Sequence, residues 1–293
     1  MRSCKVMLLC LALTFWASGM ALAEENSTQI PQRIVSVNFC TDELLLSLVG
    51  PERIAAITQF DRGPEAEVKD GGIKKVAGSV EAVLSCNPDL LLAGRFSRQT
   101  TVRYFERSGI PVLVFGVPKS FEDIYADIRK LSQAVGENEK GERIIKEMQD
   151  ELADLNPKKP VRDPGACSSC QKMNEFVPKR AVVLQSERFV PGRGTFENSI
   201  MEAAGLLNVA AQIGIRDYGK LDLEKLIELE PEVLIFTSDQ KSGRTIRGEV
   251  LSHPAIRNAL PQARIVTVPS SLLNCGSPAS VEAVRILVKE TSR

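Results

Sequence analysis

Two twelve-residue stretches, one in each half of the chain, read alike. Glu81-Ala-Val-Leu-Ser-Cys-Asn-Pro-Asp-Leu-Leu-Leu matches Glu224-Lys-Leu-Ile-Glu-Leu-Glu-Pro-Glu-Val-Leu-Ile at a constant offset of 143 residues. In both, a glutamate lies seven residues before a proline, an acid follows the proline, and the apolar positions coincide. The pattern is that of a short helix, a proline at its exit and a buried strand, because proline cannot continue a helix and turns the residue before it toward extended backbone. A second echo links 42–50 with 197–205, both read as helices ending in glycine, followed by Ile54-Ala-Ala and Val209-Ala-Ala. A period this long is too large for a solenoid of small repeats and predicts two copies of a larger unit.

The unit itself is legible from hydrophobic periodicity. Apolar runs at 34–37, 54–57, 90–93 and 112–115 read as buried strands, with helical patterns at 41–49 and 97–108 between them. Thr41 is placed to cap the first helix and Gly50-Pro51 to stop it. Phe121, Ile124, Tyr125, Ile128 and Leu131 form one helical stripe, and Ile144, Ile145, Met148, Leu152 and Leu155 another, with an interruption at 136–141. Alternation resumes with strands at 181–184, 233–236 and 265–268 and helices at 197–204, 223–229 and 279–289. Such alternation predicts parallel sheets covered on both faces. The expected fold is therefore α/β, with two doubly wound lobes of mainly parallel sheet over 24–118 and 180–293. They are joined by a long rigid α-helical region over 119–156, and 157–179, rich in Pro, Lys and Ser, is expected as an exposed loop.

The N-terminus carries an export signature. Arg2 and Lys5 precede an apolar run at 6–16, and Ala21-Leu22-Ala23 supplies small residues where a signal peptidase cuts. The run is too short to span a bilayer, so 1–23 is expected to be cleaved after Ala23. Cys10 follows Leu9, where a lipoprotein signal needs a small residue, and belongs to the leader. The expected location is the periplasm, without direct membrane insertion. Lys plus Arg equals Asp plus Glu at 37 each, which argues against nucleic acid as a partner. Nothing resembles a hydrolase elbow or a phosphate-binding loop, and Gly192-Arg-Gly194 lacks the third glycine of a dinucleotide motif.

With Arg33-Ile-Val-Ser-Val opening the first lobe, the Glu81…Pro88-Asp89 and Glu224…Pro231-Glu232 motifs, and a long helical region between them, nearly all of the mature sequence resembles the periplasmic substrate-binding proteins of ABC importers for ferric siderophores, haem and vitamin B12. The resemblance implies a monomeric binding protein rather than an enzyme, without a resident cofactor. It also implies a metal-chelate ligand held between the lobes with little hinge motion, and a transmembrane permease dimer as partner. By motif match, Glu81 and Glu224 are the surface carboxylates that meet arginines of the permease. Two carboxylates on related lobes suit two basic patches of a symmetric dimer.

Ligands of open α/β sheets sit beyond the carboxyl ends of the strands. That rule nominates Asn38, Phe39, Cys40, Phe60, Arg62, Arg95 and Phe96 in the first lobe, and Arg188, Phe189, Arg193, Asp239 and Cys275 in the second. Arginines beside aromatic rings suit an anionic, partly planar ligand such as a ferric siderophore, haem or cobalamin. A bare metal ion is a poor candidate, because the only histidine, His253 in Ser-His-Pro, reads as a turn or helix-start residue. Five cysteines follow the leader. Cys86 aligns with Leu229 and reads as a buried thiol, whereas Cys40 and Cys275 either form a disulfide or touch the ligand. Cys167 and Cys170, a C-x-x-C in the Pro-rich loop, read as a local disulfide or as functionless. An exported thiol-disulfide enzyme and a periplasmic ligand sensor stand as alternatives.

Overall fold

Five short apolar segments of the first lobe lie side by side as one parallel sheet. They are β1 (Ile34–Ser36), β2 (Ile54–Thr58), β3 (Lys75–Val76), β4 (Leu90–Gly94) and β5 (Val112–Phe115), in the order β3-β2-β1-β4-β5. The computed structural model describes residues 29–59, 72–157, 176–238 and 253–292. The predicted leader and most of the predicted loop at 157–179 lie outside the described residues. The second lobe contributes β6 (Lys179–Leu184), β7 (Phe189–Pro191), β8 (Leu206–Asn208), β9 (Tyr218–Lys220), β10 (Val233–Ser238) and β11 (Arg264–Pro269). Its main sheet is parallel in the order β11-β10-β6-β8, with β7 and β9 forming a separate antiparallel pair.

Without the edge strand β3, the two sheets have one order: β2-β1-β4-β5 in the first lobe and β8-β6-β10-β11 in the second. The register agrees as well. Ile34 faces Leu90 and Ala181 faces Val233, and Leu90 and Val233 stand at the offset of the sequence repeat. At the strand roots the same devices recur. The Asp89 carboxylate accepts from the backbone N–H of Gln32 and Arg33 at 2.6 and 2.9 Å, and the Glu232 carboxylate from that of Arg180 at 2.9 Å. The Arg33 guanidinium donates to the Cys86 carbonyl and that of Arg180 to the Leu229 carbonyl, both at 2.6 Å. Those carbonyls end the helices α2 (Val80–Leu84) and α8 (Leu223–Glu228), and each arginine satisfies an acceptor that the helix leaves open. Asn87 and Glu230, the next residues, both hold left-handed backbone, with φ of 48° and 42°.

The second echo survives only in part. Helices α1 (Phe39–Leu48) and α6 (Phe196–Ala203) do occupy matching places. However, Ile54-Ala-Ala lies in strand β2, whereas Val209-Ala-Ala lies in helix α7 (Val209–Gln212). The physical reason is Asn208, whose side chain accepts from the Ala210 N–H at 3.0 Å and starts a helix directly after the three-residue β8. The cap of α1 also differs from expectation. Asn38, rather than Thr41, accepts from the N–H groups of Cys40 and Thr41 at 3.0 and 3.3 Å. Thr41 turns its hydroxyl to Ser36, 2.7 Å away.

After α3 (Gln99–Ser108), two helices make the connecting region, α4 (Phe121–Val135) and α5 (Asn138–Leu155). Their break is narrower than the sequence suggests, with Gly136 in left-handed conformation and Glu137 at the N-cap position of α5. Gly141 lies inside α5, where a Cβ would come 2.6 Å from the Ser132 hydroxyl, so its missing side chain lets the two helices approach. The 18 residues of α5 span about 27 Å at 1.5 Å per residue. Lys140 near its start donates to the Leu48 carbonyl of α1. Glu151 near its end pairs with Arg285 of α11 (Val281–Thr291). The helix therefore touches both lobes. One apolar core runs through the contact, from Leu45, Leu48 and Ile124 to Ile200, Val284 and Leu287, all at most 1% exposed. Each such side chain contributes about 1.5–3 kcal/mol through burial.

Candidate functional site

Structural ties between the lobes gather beyond the carboxyl ends of strands in both parallel sheets. Cys40, in the first turn of α1, is disulfide-bonded to Cys275, which caps α10 (Ser270–Asn274). The Cα atoms are 4.9 Å apart across 235 residues of chain. Next to it Gly276 packs on Pro118 and Ile124. Lys119, beyond the end of β5, forms an ion pair at 3.4 Å with Asp217, just before β9. Phe121 and Phe196 meet edge to face at 5.3 Å.

On the first-lobe side, the turn after β4 rests on the α1 cap. A Cβ on Gly94 would come 2.6 Å from the Asn38 side chain, so glycine alone lets the two loops touch. Ser97 closes the turn, accepting from Gly94 N–H at 3.0 Å and donating to the Val37 carbonyl at 3.4 Å. Arg95 and Phe96 are left at its tip, both exposed, with Phe96 82% open. Asn38 is occupied as a helix cap, and Phe39 and Cys40 are half-buried. Phe60, Arg62, Asp239, Cys167 and Cys170 lie outside the described residues.

On the second-lobe side, the chain leaves β6 through a turn in which Glu187 and Arg188 both take positive φ, 55° and 62°. It then enters β7, paired with β9 so that Phe189 faces Lys220 and Pro191 faces Tyr218. The Lys220 ammonium sits 5.0 Å from the Phe189 ring centroid. Arg188 approaches Asp222 and Lys220 approaches Glu187, each at 3.8 Å and exposed to water, so both contribute little. Arg193 is exposed, with its backbone tied to Ile215 and Asp217.

Sequence reasoning did not find the most constrained polar group here. Glu197, 1% exposed in the first turn of α6, accepts from Gln185 at 2.9 Å and from the Tyr218 hydroxyl at 3.0 and 3.1 Å. Burial pushes its carboxyl above the usual range against these hydrogen bonds. The Tyr218 phenol is pushed well above its ordinary value, by burial first and then by the Glu197 charge. Tyr218 is nonetheless 48% exposed. Its strand has three residues and no readable periodicity, so only the buried glutamate in a helix start could have hinted at a partner.

Glu81 and Glu224 are each the second residue of their helix, and both are exposed. A helix that leads into a parallel strand starts at the strands' carboxyl side, which puts both carboxylates on the side of the lobe contacts. Cys86 is buried beside the Ala82 carbonyl, and His253 stands at the N-cap position of α9 (Pro254–Ala259), a helix-start residue as expected. Among the described residues no three His, Cys, Asp or Glu gather closely enough to hold a metal ion. A groove of about 620 Å³ lined by Lys179, Glu230, Glu232 and Arg264 lies at the strand roots of the second lobe, away from these features.

A family model described as periplasmic binding protein matches residues 34–272. An uncharacterised ABC transporter substrate-binding lipoprotein of Bacillus subtilis is 24% identical over 88% of this chain and 79% of its own length. A cobalamin-binding protein of Halobacterium salinarum is 24% identical over 91% of this chain and 70% of its own. A periplasmic haem-binding protein from Roseiflexus sp. RS-1, solved in apo form, superposes with a TM-score of 0.70 at 22% identity, over 88% of this chain and 98% of its own. It shares the fold.

Proposed function

The chain belongs to the periplasmic binding protein family, and from that premise we propose that it is the periplasmic solute-binding component of an ABC importer for a metal-centred chelate. The cargo class comprises ferric siderophores, haem and cobalamin, and the loaded protein passes it to a transmembrane permease dimer. One observation carries the reading. Exposed carboxylates, Glu81 and Glu224, stand at the same position of two lobes with one sheet order. A pair of docking charges related in this way matches a symmetric receiver. Arg95 and Phe96 on one lobe and Arg188, Phe189 and Arg193 on the other supply guanidinium groups for carboxylates and ring faces for a flat body. The relatives named for cobalamin and for haem support the cargo class.

The absorbance spectrum of protein purified from its native periplasm tests the cargo, since haem, corrinoids and ferric siderophores absorb differently. Reversing both docking charges, Glu81→Lys with Glu224→Lys, leaves cargo affinity unchanged and abolishes import. Unchanged import would refute the docking assignment. Colourless protein that binds none of the three cargo types would refute the cargo class.

A further inference from the structure

The geometry points to Glu197 as a positioning residue that fixes the Tyr218 ring as one wall of the cleft and takes its hydroxyl away from the cargo. This rests on the cleft reading proposed above. Glu197 is buried, while Tyr218, which it holds through both carboxylate oxygens, keeps nearly half its surface open. Gln185, at the end of β6, donates to the same carboxylate and keeps it turned toward β9. Tyr218 therefore spends its only O–H inward, and what it offers outward is the face of its ring. Its place is at the junction of the lobes, since the preceding residue, Asp217, is the one that pairs with Lys119 of the first lobe.

The consequence concerns selectivity. A phenolate that reached a ferric centre would bind it directly and favour iron over other metals. A phenol bonded to a buried carboxylate is a poor source of phenolate, because burial and the nearby negative charge both raise its pKa. The second-lobe wall then recognises a flat or apolar cargo surface by stacking, whatever metal lies at its centre. At the matching helix of the first lobe the described residues make a different use of the acid. There Asp42, fully buried, directs its carboxylate to the Thr58 backbone N–H at 3.2 and 3.4 Å.

Haemin and cyanocobalamin serve as probes, titrated into the mature chain and followed by their own absorbance. Tyr218→Ala weakens the better-bound probe by about tenfold, whereas Tyr218→Phe costs less than about threefold and leaves the metal's bands in place. Glu197→Met strands the hydroxyl and weakens binding by about three- to tenfold, Glu197→Gln restores it, and adding Tyr218→Phe to Glu197→Met reduces the loss. The tyrosinate absorbance titration reads the same bond without cargo. Of the three tyrosines, the transition that disappears in Tyr218→Phe moves to lower pH in Glu197→Met. Equal losses from Tyr218→Phe and Tyr218→Ala, or shifted metal bands in Tyr218→Phe, would place the phenol oxygen on the cargo and overturn the proposal. So would additive effects of Tyr218→Phe and Glu197→Met, or a Tyr218 transition indifferent to Glu197. If neither probe binds the unaltered protein, haem and cobalamin fall as cargo, and the tyrosine titration decides the Glu197 assignment by itself.

Discussion

The two lobes agree at the roots of their strands and part company at the tips. At the roots, Arg33 and Arg180 close the ends of matching helices, Asp89 and Glu232 hold matching strand starts, and Asn87 and Glu230 share one unusual backbone conformation. At the tips, the first lobe presents a bare turn carrying Arg95 and Phe96. The second inserts the β7–β9 pair and the buried Glu197–Tyr218 bond. Hydrogen bonds that build a sheet tolerate few replacements, so a duplicated unit keeps them. Loops beyond the strands are free to diverge, and that is where binding residues collect.

The largest expected effect tests whether the matched lobes are also equal in stability. Removing the bond between them with Cys40→Ser and Cys275→Ser lowers the unfolding free energy by about 5 kcal/mol on the chain-entropy scale for a closed loop of this length. Calorimetry then shows one transition if the shared core still couples the lobes, and two if the disulfide alone did so. Next come the root arginines. Arg33→Ala and Arg180→Ala each cost about 1–2 kcal/mol in denaturant unfolding through the lost charge-assisted hydrogen bonds. A gap of more than about 1 kcal/mol between them would break the correspondence drawn above. Smaller still is the left-handed pair. Glu230→Gly gains up to about 1 kcal/mol, while Asn87→Gly is near neutral because asparagine already tolerates that conformation. The last prediction concerns pH. The folded Glu197 carboxyl lies above its unfolded value, so its contribution to stability is fully present below the ordinary carboxylate range and is lost as pH rises through the raised value. Glu197→Gln removes that part of the slope, measured as thermal midpoint against pH. A slope unchanged by the substitution would contradict the raised carboxyl.

These comparisons also explain what was readable in the sequence. The helix-Pro-strand repeat was legible because its apolar spacing and proline act locally, and it led to both lobes and to Glu81 and Glu224. The tripeptides Ile54-Ala-Ala and Val209-Ala-Ala looked equivalent, yet one is strand and one helix, since Asn208 caps the latter and no property of the three residues says so. Whether Cys40 and Cys275 would pair or face the ligand stayed open, because a contact across 235 residues depends on how two lobes are set together. Asn38 over Thr41 as the cap of α1 was a matter of one turn of register, which periodicity does not resolve. Tyr218 and Lys119 left no signal, since each owes its position to a partner far along the chain.

The disulfide has a consequence for the order in which the molecule is made. On the proposed export route, with the leader and its Cys4 and Cys10 removed, a chain threaded N-terminus first delivers Cys40 before the others, then Cys86, Cys167 and Cys170, and Cys275 last. Cys40 must therefore remain unpaired while three wrong partners pass. The burial of Cys86 inside the first lobe, 2% exposed, withdraws one of them as soon as that lobe folds. Oxidation at Cys40–Cys275 then marks a finished molecule, since the bond can close only when the second lobe has arrived and seated. An oxidant supplied too early would trap the chain in a premature ring.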